Sequence, residues 1–599
     1  MSIQYLDSEK LYYSFLSGAQ EVIRNKRILN EINVFPVSDG DTGSNLAHTM
    51  HSILQEAQIK PTVKDTMNSI ADAALTGARG NSGIIMAQYI NGIFMSLPKE
   101  ESITISGFSE MVNGAVPHAY HAIANPVEGT IITVIKDWAS AIHRYKDHAK
   151  DFHELLSSSV NDAMTSLKHT PEKLKVLEDA KVVDSGAKGF VYFLEGFASF
   201  LSTGLFKSDQ NLSKETIDFT EYPGHDHEEI RERYCTEALI SGENLDLDAL
   251  REELSSLGDS LIVAGNPNKV KIHIHTNSPV DFFQKLKTKG TILQQKADDM
   301  IRQNEAAYKR KYPIALVTDS IADLPLSYLD EEQVHMLPLN LVFEGTTYLD
   351  KVTMTPDVFY PLLDGATEYP KSAQPNPKTV EAFLGSIAAH YDEILVITVA
   401  KVQSGTHNVF EKAAEKLKKE GKNIYVVDSK QNSAAEGLLV MKATELIKEG
   451  KPFEKIVETI ESLRDLTKIL VSVNTLKYMV RSGRLSKVTG FAGKIMNLKP
   501  VVSLDSEGKG SIAAKAFSEK ANTQKIIDIM KKDHEESAIT RYSIVHANDE
   551  KRALAMKAKC QEYLGFEPLY IMNISTIVGM SAGVGSVALS YMREKGDLL

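Results

Sequence analysis

The sequence predicts a multidomain chain whose fold class changes twice: all-α first, a small α+β unit next, and an α/β region last. Three observations predict this. From Leu6 to about residue 207 the apolar residues recur at three- and four-residue steps, with almost no alternating valine-rich runs. Two strand-like runs follow, LIVAG at 261–265 and VKIHIHT at 270–276. Beyond residue 312, short β-branched runs alternate with helical patterns. A chain of 599 residues also exceeds what one hydrophobic core can organise.

In the first region Leu11, Phe15, Ala19, Val22 and Ile23 make a helical stripe behind Ser8, read as the N-cap. Comparable stripes occupy residues 66–75, 83–95, 108–122 and 152–167. The polar stretch 207–227 (KSDQNLSKETIDFTEYPGHDH) reads as a linker. Domains are therefore expected at 6–207, 228–305 and 312–595. In the last of these, IALVTDS, EILVITVA, NIYVVDS and YSIVHAND each stand near the start of a strand–helix repeat and read as buried parallel strands.

Composition narrows the function classes. A net charge of −12 and a pI near 5.8 argue against a nucleic-acid or anionic-membrane surface as the main partner. Two distant cysteines, Cys235 and Cys560, make no disulfide framework and favour a reducing, cytoplasmic setting. The start MSIQYLDSEK lacks the pattern of a signal peptide, and no apolar run reaches the length of a membrane span.

The most informative segment is NVFPVSDGDTGSN at 33–45. Asp39 and Asp41 flank Gly40 and precede Thr42, Gly43 and Ser44. Closely spaced carboxylates suit Mg²⁺, which takes one or two of them and leaves other positions to phosphates and water. Alone, this could be an ordinary Asp/Gly turn. A second glycine-rich segment, GARGNSG at 77–83, offers backbone donors, the Ser82 hydroxyl and the Arg79 guanidinium. A helix starting at Ser82 and Gly83 would point its positive end at an anion.

This pair of segments resembles the nucleotide-binding subunit of dihydroxyacetone kinases, and more closely the kinase component of bacterial fatty acid kinases. PVEGTIITV at 126–134 and VVDSGAKGFVYFLEG at 182–196 complete the pattern. The resemblance implies an up-and-down barrel of antiparallel helices with ATP at one end. Asp39 and Asp41 would hold Mg²⁺ and form the catalytic centre. Thr42, Gly43, Asn45, Arg79, Ser82, Gly83 and Thr130 would surround the nucleotide. Where dihydroxyacetone kinases carry a third aspartate, Asn33 is the nearest polar residue, which favours the fatty acid branch. Asp184 matches a position near the nucleotide; its alternative is a helix N-cap.

In the middle unit, Val270, Ile272 and Ile274 share one strand face, and Lys271, His273 and His275 the other. From the residues alone the second face reads as solvated. Two histidines at i and i+2, with Cys235 as a soft third ligand, could also hold zinc. The middle region of fatty acid kinases has a similar YCTE…HIHTN pattern associated with a zinc-type site, which favours the metal.

From Tyr312 onward the chain resembles the DegV-like fatty-acid-binding family, through LVTDSIADLP, SAQPNP, QSGTHN, VVDSKQNSAAEG, VNTLKYMVRSGRLSK and NLKPVVSL. The resemblance implies two α/β lobes holding a long-chain fatty acid, with Ser372 and Ser404 donating to its carboxylate. Ser581 stands where the family usually has histidine, and an arginine expected after NLKP is missing. Lipid binding therefore fits better than acyl-phosphate handling.

The expected function is phosphoryl transfer from ATP to a protein-bound fatty acid, giving an acyl phosphate. The fused DegV-like domain or a separate DegV-like carrier would supply the acid, and a homodimer is one of the states the sequence allows. One alternative is a dihydroxyacetone-type (glycerone) kinase, although its substrate-binding histidine domain is not found in the chain. The other is a non-catalytic lipid carrier with a regulatory nucleotide domain.

Overall fold

A computed structural model describes residues 2–35, 40–98, 101–123, 126–206, 230–363, 365–482 and 498–593. Asp39 and the expected linker at 207–227 lie outside the described residues. The chain divides into two compact units, Met1–Ile301 and Arg302–Leu599.

The first unit begins as a ring of helices. Ser8–Arg24, Thr42–Glu56, Val63–Gly77, Gly80–Met95, Ile105–Ala122, Ile131–Tyr145, Phe152–Lys168 and Ser185–Thr203 pack in sequence order. Ser185–Thr203 then packs along Ser8–Arg24, which closes the barrel. Its interior is filled by Phe15, Tyr89, Phe108, Trp138, Phe152 and Phe190. Each such ring, once buried, contributes roughly 1.5–3 kcal/mol. A short antiparallel pair, Tyr5–Leu6 with Ile103–Thr104, is the one β element of this barrel among the described residues.

The expected cap at Ser8 is displaced by one residue. Asp7 takes that role, because its extended backbone lets the carboxylate accept the Lys10 N–H at 2.8 Å, and Ser8 is the first helical residue. Thr62, Thr104 and Asp151 cap their helices in the same local way.

Next comes a four-stranded antiparallel sheet in the order Asp259–Asn266, Lys269–Thr276, Tyr234–Ser241, Thr291–Asp299. One face carries Val270, Ile272 and Ile274 onto Phe282, Phe283 and Leu286 of the helix Pro279–Lys287. The register puts Cys235 opposite His275 and Asp298, and Glu237 opposite His273 and Lys296, all on the other face. That face is not solvated, contrary to its reading from the residues alone. His273 is 2% and Lys271 5% exposed, because the sheet lies on the barrel and adds Ile262 and Ala264 to the barrel's core. Gln88 and Asn91 of Gly80–Met95 secure it. Gln88 Oε1 accepts the Gly265 N–H at 2.6 Å, and Asn91 Nδ2 donates to the Gly265 carbonyl at 2.9 Å.

The second unit has two lobes. Asn423–Asp428, Glu393–Thr398, Ile314–Asp319 and His335–Leu337 form a parallel sheet, so three of the four predicted strands sit as expected. The fourth, Ile539–His546, belongs to a six-stranded sheet and is antiparallel to Val587–Arg593 and parallel to Ile571–Asn573. The helix Glu550–Leu564 supplies the parallel crossover to Ile571–Asn573, whereas Val587–Arg593 returns antiparallel after the short helix Thr576–Ala582.

Within this unit the TDSIAD segment is held by buried carboxylates. Asp319 accepts the Ile321 and Val399 N–H groups at 2.9 and 3.0 Å. Asp323 accepts the Ser575 N–H at 2.8 Å and the Ser433 hydroxyl at 2.5 Å, and pairs with Lys351 at 3.1 Å. Asp350 accepts the Thr576 hydroxyl at 2.6 Å. These bonds fix the start of the short helix Thr576–Ala582, which carries Ser581.

Candidate functional site

The glycine-rich segments come together at one end of the barrel. Asp41 precedes the helix Thr42–Glu56, and Thr42, Gly43, Ser44 and Asn45 form its first turn. Asn33 is buried and accepts the Thr42 hydroxyl at 2.6 Å. Asn30 grips the next residue but one, its Oδ1 accepting the Ser44 N–H at 3.0 Å and its Nδ2 donating to the Ser44 hydroxyl at 2.9 Å. A side chain at Gly43 would strike the Lys26 carbonyl, its Cβ coming within 2.2 Å.

The helix expected to start at Ser82 and Gly83 starts at Gly80, with Arg79 in the N-cap position. Gly80 has φ +57°, and a Cβ there would lie 2.2 Å from Asn45 Nδ2, so only glycine lets the two loops touch. A Cβ on Gly83 would meet Thr49 Oγ1 at 2.5 Å and the Asn45 carbonyl at 3.1 Å. Thr130 immediately precedes Ile131–Tyr145, and its hydroxyl donates to the Val127 carbonyl at 2.8 Å. Gly186 completes the junction, because a Cβ there would be 3.3 Å from Ser82 Oγ and 3.4 Å from Ile131 Cβ. Four helix starts thus meet around small residues, an arrangement whose positive helix ends suit an anion.

Asp184 is the N-cap of Ser185–Thr203 and accepts the Ala187 N–H at 2.7 Å, so its capping reading holds. Burial raises its carboxyl to about 7, against the lowering effect of the Ala187 and Ile131 backbone N–H groups. It also lies at the junction, 3.3 Å from the Gly186 Cβ position.

The charged face of the middle sheet abuts this junction. Glu237 Oε1 accepts the Gly80 N–H at 2.9 Å, and Arg79 pairs with Asp298 at 3.8 Å. Cys235, His273 and His275 place one ligand atom each within 4.8 Å of one another. His273 Nδ1 lies 4.0 Å from Cys235 Sγ, and His273 Nε2 is buried without a hydrogen-bond partner. Burial alone would raise the Cys235 thiol, but Lys296 and His273 outweigh it and bring the group to about 6. Burial would likewise discharge His273, yet Cys235 and Glu237 hold it at about 9. A thiolate beside two imidazoles is a donor set that fits zinc.

Glu237, Lys271, Lys296, Asp298 and His48 were not identified as site residues from the sequence. Glu237 could have been, since it follows Cys235 by two and so shares its strand face. Lys296 and Asp298 lie in the polar run TILQQKADD, which carries no strand signal of its own.

In the second unit a cavity of about 290 Å³ is lined by Ser372, Ser404 and Ser581 together with Ile469, Val471 and Ile577. The Ser404 hydroxyl accepts the Thr406 N–H at 3.2 Å, and a Cβ on Gly405 would strike Gln374, which brings the two serine loops side by side. Met479 also lines it.

A helical barrel with glycine-rich helix starts, a four-stranded unit seated on it, and a two-lobed α/β unit define a chain built from three modules. The chain carries a DAK2 domain (residues 36–199), a middle domain of the fatty-acid-kinase-like type (231–307) and a DegV-family domain (313–594). An uncharacterized protein of Staphylococcus epidermidis is 34% identical over 310 residues, which cover 49% of this chain and 55% of that one. One from Staphylococcus saprophyticus is 33% identical over 320 residues, 52% of this chain and 58% of its own. The chain thus spans just over half the length of these relatives. Among solved structures, a fatty-acid-binding DegV family protein from Thermus thermophilus is 26% identical, covering 47% of this chain and 100% of its own at a TM-score of 0.44. DegV of Bacillus subtilis, a fatty acid binding protein, is 26% identical with the same coverage at 0.43. Among the described residues, no helix is long and apolar enough to cross a membrane.

Proposed function

We propose that this chain is a kinase that moves the γ-phosphoryl group of ATP onto a fatty acid carboxylate, giving an acyl phosphate and ADP. The observation that carries the reading is the meeting of four helix starts at Asn45, Gly80, Ser82, Ile131 and Gly186, beside Asp41. The fatty-acid-kinase-like middle domain favours a fatty acid over a small hydroxy-ketone as acceptor. A carboxylate oxygen would attack the γ-phosphorus as its bond to the bridging β-phosphate oxygen breaks. Because a fatty acid is already ionised near neutral pH, no general base is required. The protein's work is then to orient the two reactants and to offset charge.

Asp39 and Asp41 would hold Mg²⁺, whose contribution when bound is to neutralise the phosphate oxygens. Thr42, Gly43, Asn45, Arg79, Ser82, Gly83 and Thr130 would line the phosphates, with glycines admitting the backbone and Arg79 adding charge. Cys235, His273 and His275 would hold Zn²⁺, a fixed positive charge beside the same loop. In the DegV domain, Ser372 and Ser404 would orient the acid's carboxylate while the apolar wall takes its chain.

The test is to incubate the full chain with MgATP and oleate and to trap products with hydroxylamine. A fatty acyl hydroxamate formed in step with ADP is expected. Phosphorylation of dihydroxyacetone instead would install the glycerone-kinase reading. No turnover, with oleate bound, would leave a lipid carrier.

A further inference from the structure

The turn at residues 77–80 leads from one barrel helix to the next and contains Arg79 and Gly80. Its two ends are held by different parts of the first unit. At the start, the Gly77 carbonyl accepts the His48 Nδ1–H at 2.8 Å. A carbonyl can only accept, so His48 must carry its proton on Nδ1. Burial and the Arg79 charge lower this imidazole to about 4, so it stays neutral in that role. At the end, the Gly80 N–H donates to Glu237 Oε1 at 2.9 Å.

Glu237 belongs to the middle sheet, is 2% exposed, and is itself tightly held. Its Oε2 lies 3.1 Å from Lys271 Nζ, and His273 Nδ1 is 3.7 Å from Oε1. A carboxylate buried this completely needs such partners, and they leave it one orientation. Gly80 needs that precision, because its left-handed φ brings it onto Asn45, and Ser82 reaches Gly186 from the same helix turn. Several barrel helices are capped by the side chain of the residue before them, as by Asp7, Thr62 and Thr104, whereas Thr42–Glu56 and Ile131–Tyr145 take no cap from Asp41 or Thr130. Gly80–Met95 has no side-chain cap from Arg79, and a separate sheet supplies the acceptor instead.

We propose that Glu237 is a positioning residue for the nucleotide site: by holding the Gly80 amide it sets the helix start that bears Ser82 and Gly83. This rests on the nucleotide reading above and adds that the site is complete only with the middle sheet in place. Three chemical demands follow. Position 237 must present an acceptor, the acceptor must reach Gly80, and charge there matters to folding but not to that bond.

The full chain and its Glu237→Ala, Glu237→Gln and Asp41→Ala variants test this, by MgATP calorimetry and by hydrogen exchange of peptides covering residues 77–84. Glutamine keeps an oxygen for Gly80 but strands the Lys271 charge, so both Glu237 variants should melt earlier. MgATP affinity should fall tenfold or more in Glu237→Ala and stay within threefold in Glu237→Gln, with exchange at 77–84 accelerated only in the alanine variant. A merely structural role would move melting in both and affinity in neither. Should Glu237→Ala fail to fold, Glu237→Asp serves, since it keeps the charge but is one methylene too short to reach Gly80. Wild-type affinity and protection in the alanine or aspartate variant, with Asp41→Ala impaired, would overturn the inference and leave the nucleotide reading standing. If the wild type binds no MgATP, the nucleotide reading falls and the inference falls with it.

Discussion

The Asp184 carboxylate accepts the Ala187 N–H at 2.7 Å from a position only 5% exposed. The cap favours the ion, yet burial wins and raises the group to about 7. Its folded pKa therefore lies above the unfolded value of 3.8. The unfolded chain releases this proton first, so the group's contribution to stability declines from about pH 4 to pH 7 and is level above. Asp184→Asn keeps the acceptor without the titration. Melting curves from pH 4 to 8 should show the variant gaining on the wild type across that interval, by a few kcal/mol at most (about 1.4 per pKa unit). Parallel curves would show that the cap remains ionised.

Gly80→Ala should damage the proposed nucleotide site more than the fold. The left-handed backbone costs about 1–2 kcal/mol for a residue bearing a Cβ, and the added methyl must displace Asn45. MgATP affinity measured by calorimetry should drop at least tenfold. Gly204→Ala is the control, since Gly204 has φ +66° and nothing within 4 Å of a Cβ. It should lose similar stability and no affinity. Equal affinity in both variants would remove Asn45 and Gly80 from the site.

Protein purified without chelator should contain about one zinc per chain, lost in His273→Ala, because three ligands converge and one buried nitrogen lacks a partner. Elemental analysis decides. A metal-free wild type would make the cluster a buried thiolate–imidazolium pair.

Ser581 lines the cavity where a histidine would add a donor able to carry charge. Serine donates one neutral hydrogen bond, which helps carboxylate and acyl phosphate alike. Acyl-phosphate formation by the full chain should therefore rise when a histidine-bearing DegV-like carrier is added, and Ser581→His should raise the carrier-free rate. Fast carrier-free turnover, unchanged by Ser581→His, would show that the histidine is dispensable.

Much of this was legible in the residues. The helical stripes behind Leu11 and Phe15 and the alternation through Val270–Ile274 follow from local periodicity, and each corresponds to an element of the expected type. The motifs at 33–45 and 77–83 could be picked out because glycine, serine and carboxylates in short spacing have few other uses. Periodicity places the first cap at Ser8 and the structure at Asp7, because serine and aspartate are both good caps and backbone angles choose between them.

Local patterns in the residues are enough to set the order of the modules, most of the helices and strands within them, and which side chains share a strand face. Tertiary structure alone decided what those faces meet. Alternation put His273 and Lys271 on one side of a strand, but whether that side is wet depends on the Gly80–Met95 helix lying over it. The direction in which Ile539–His546 pairs was likewise not local, since a strand's hydrogen-bonding edges accept either orientation and the connection chooses. The bond from Glu237 to Gly80 spans 157 residues. Its donor and acceptor are each unremarkable in their own segments, and only the docking of sheet on barrel, driven by burial of Ile262 and Ala264, brings them within 2.9 Å.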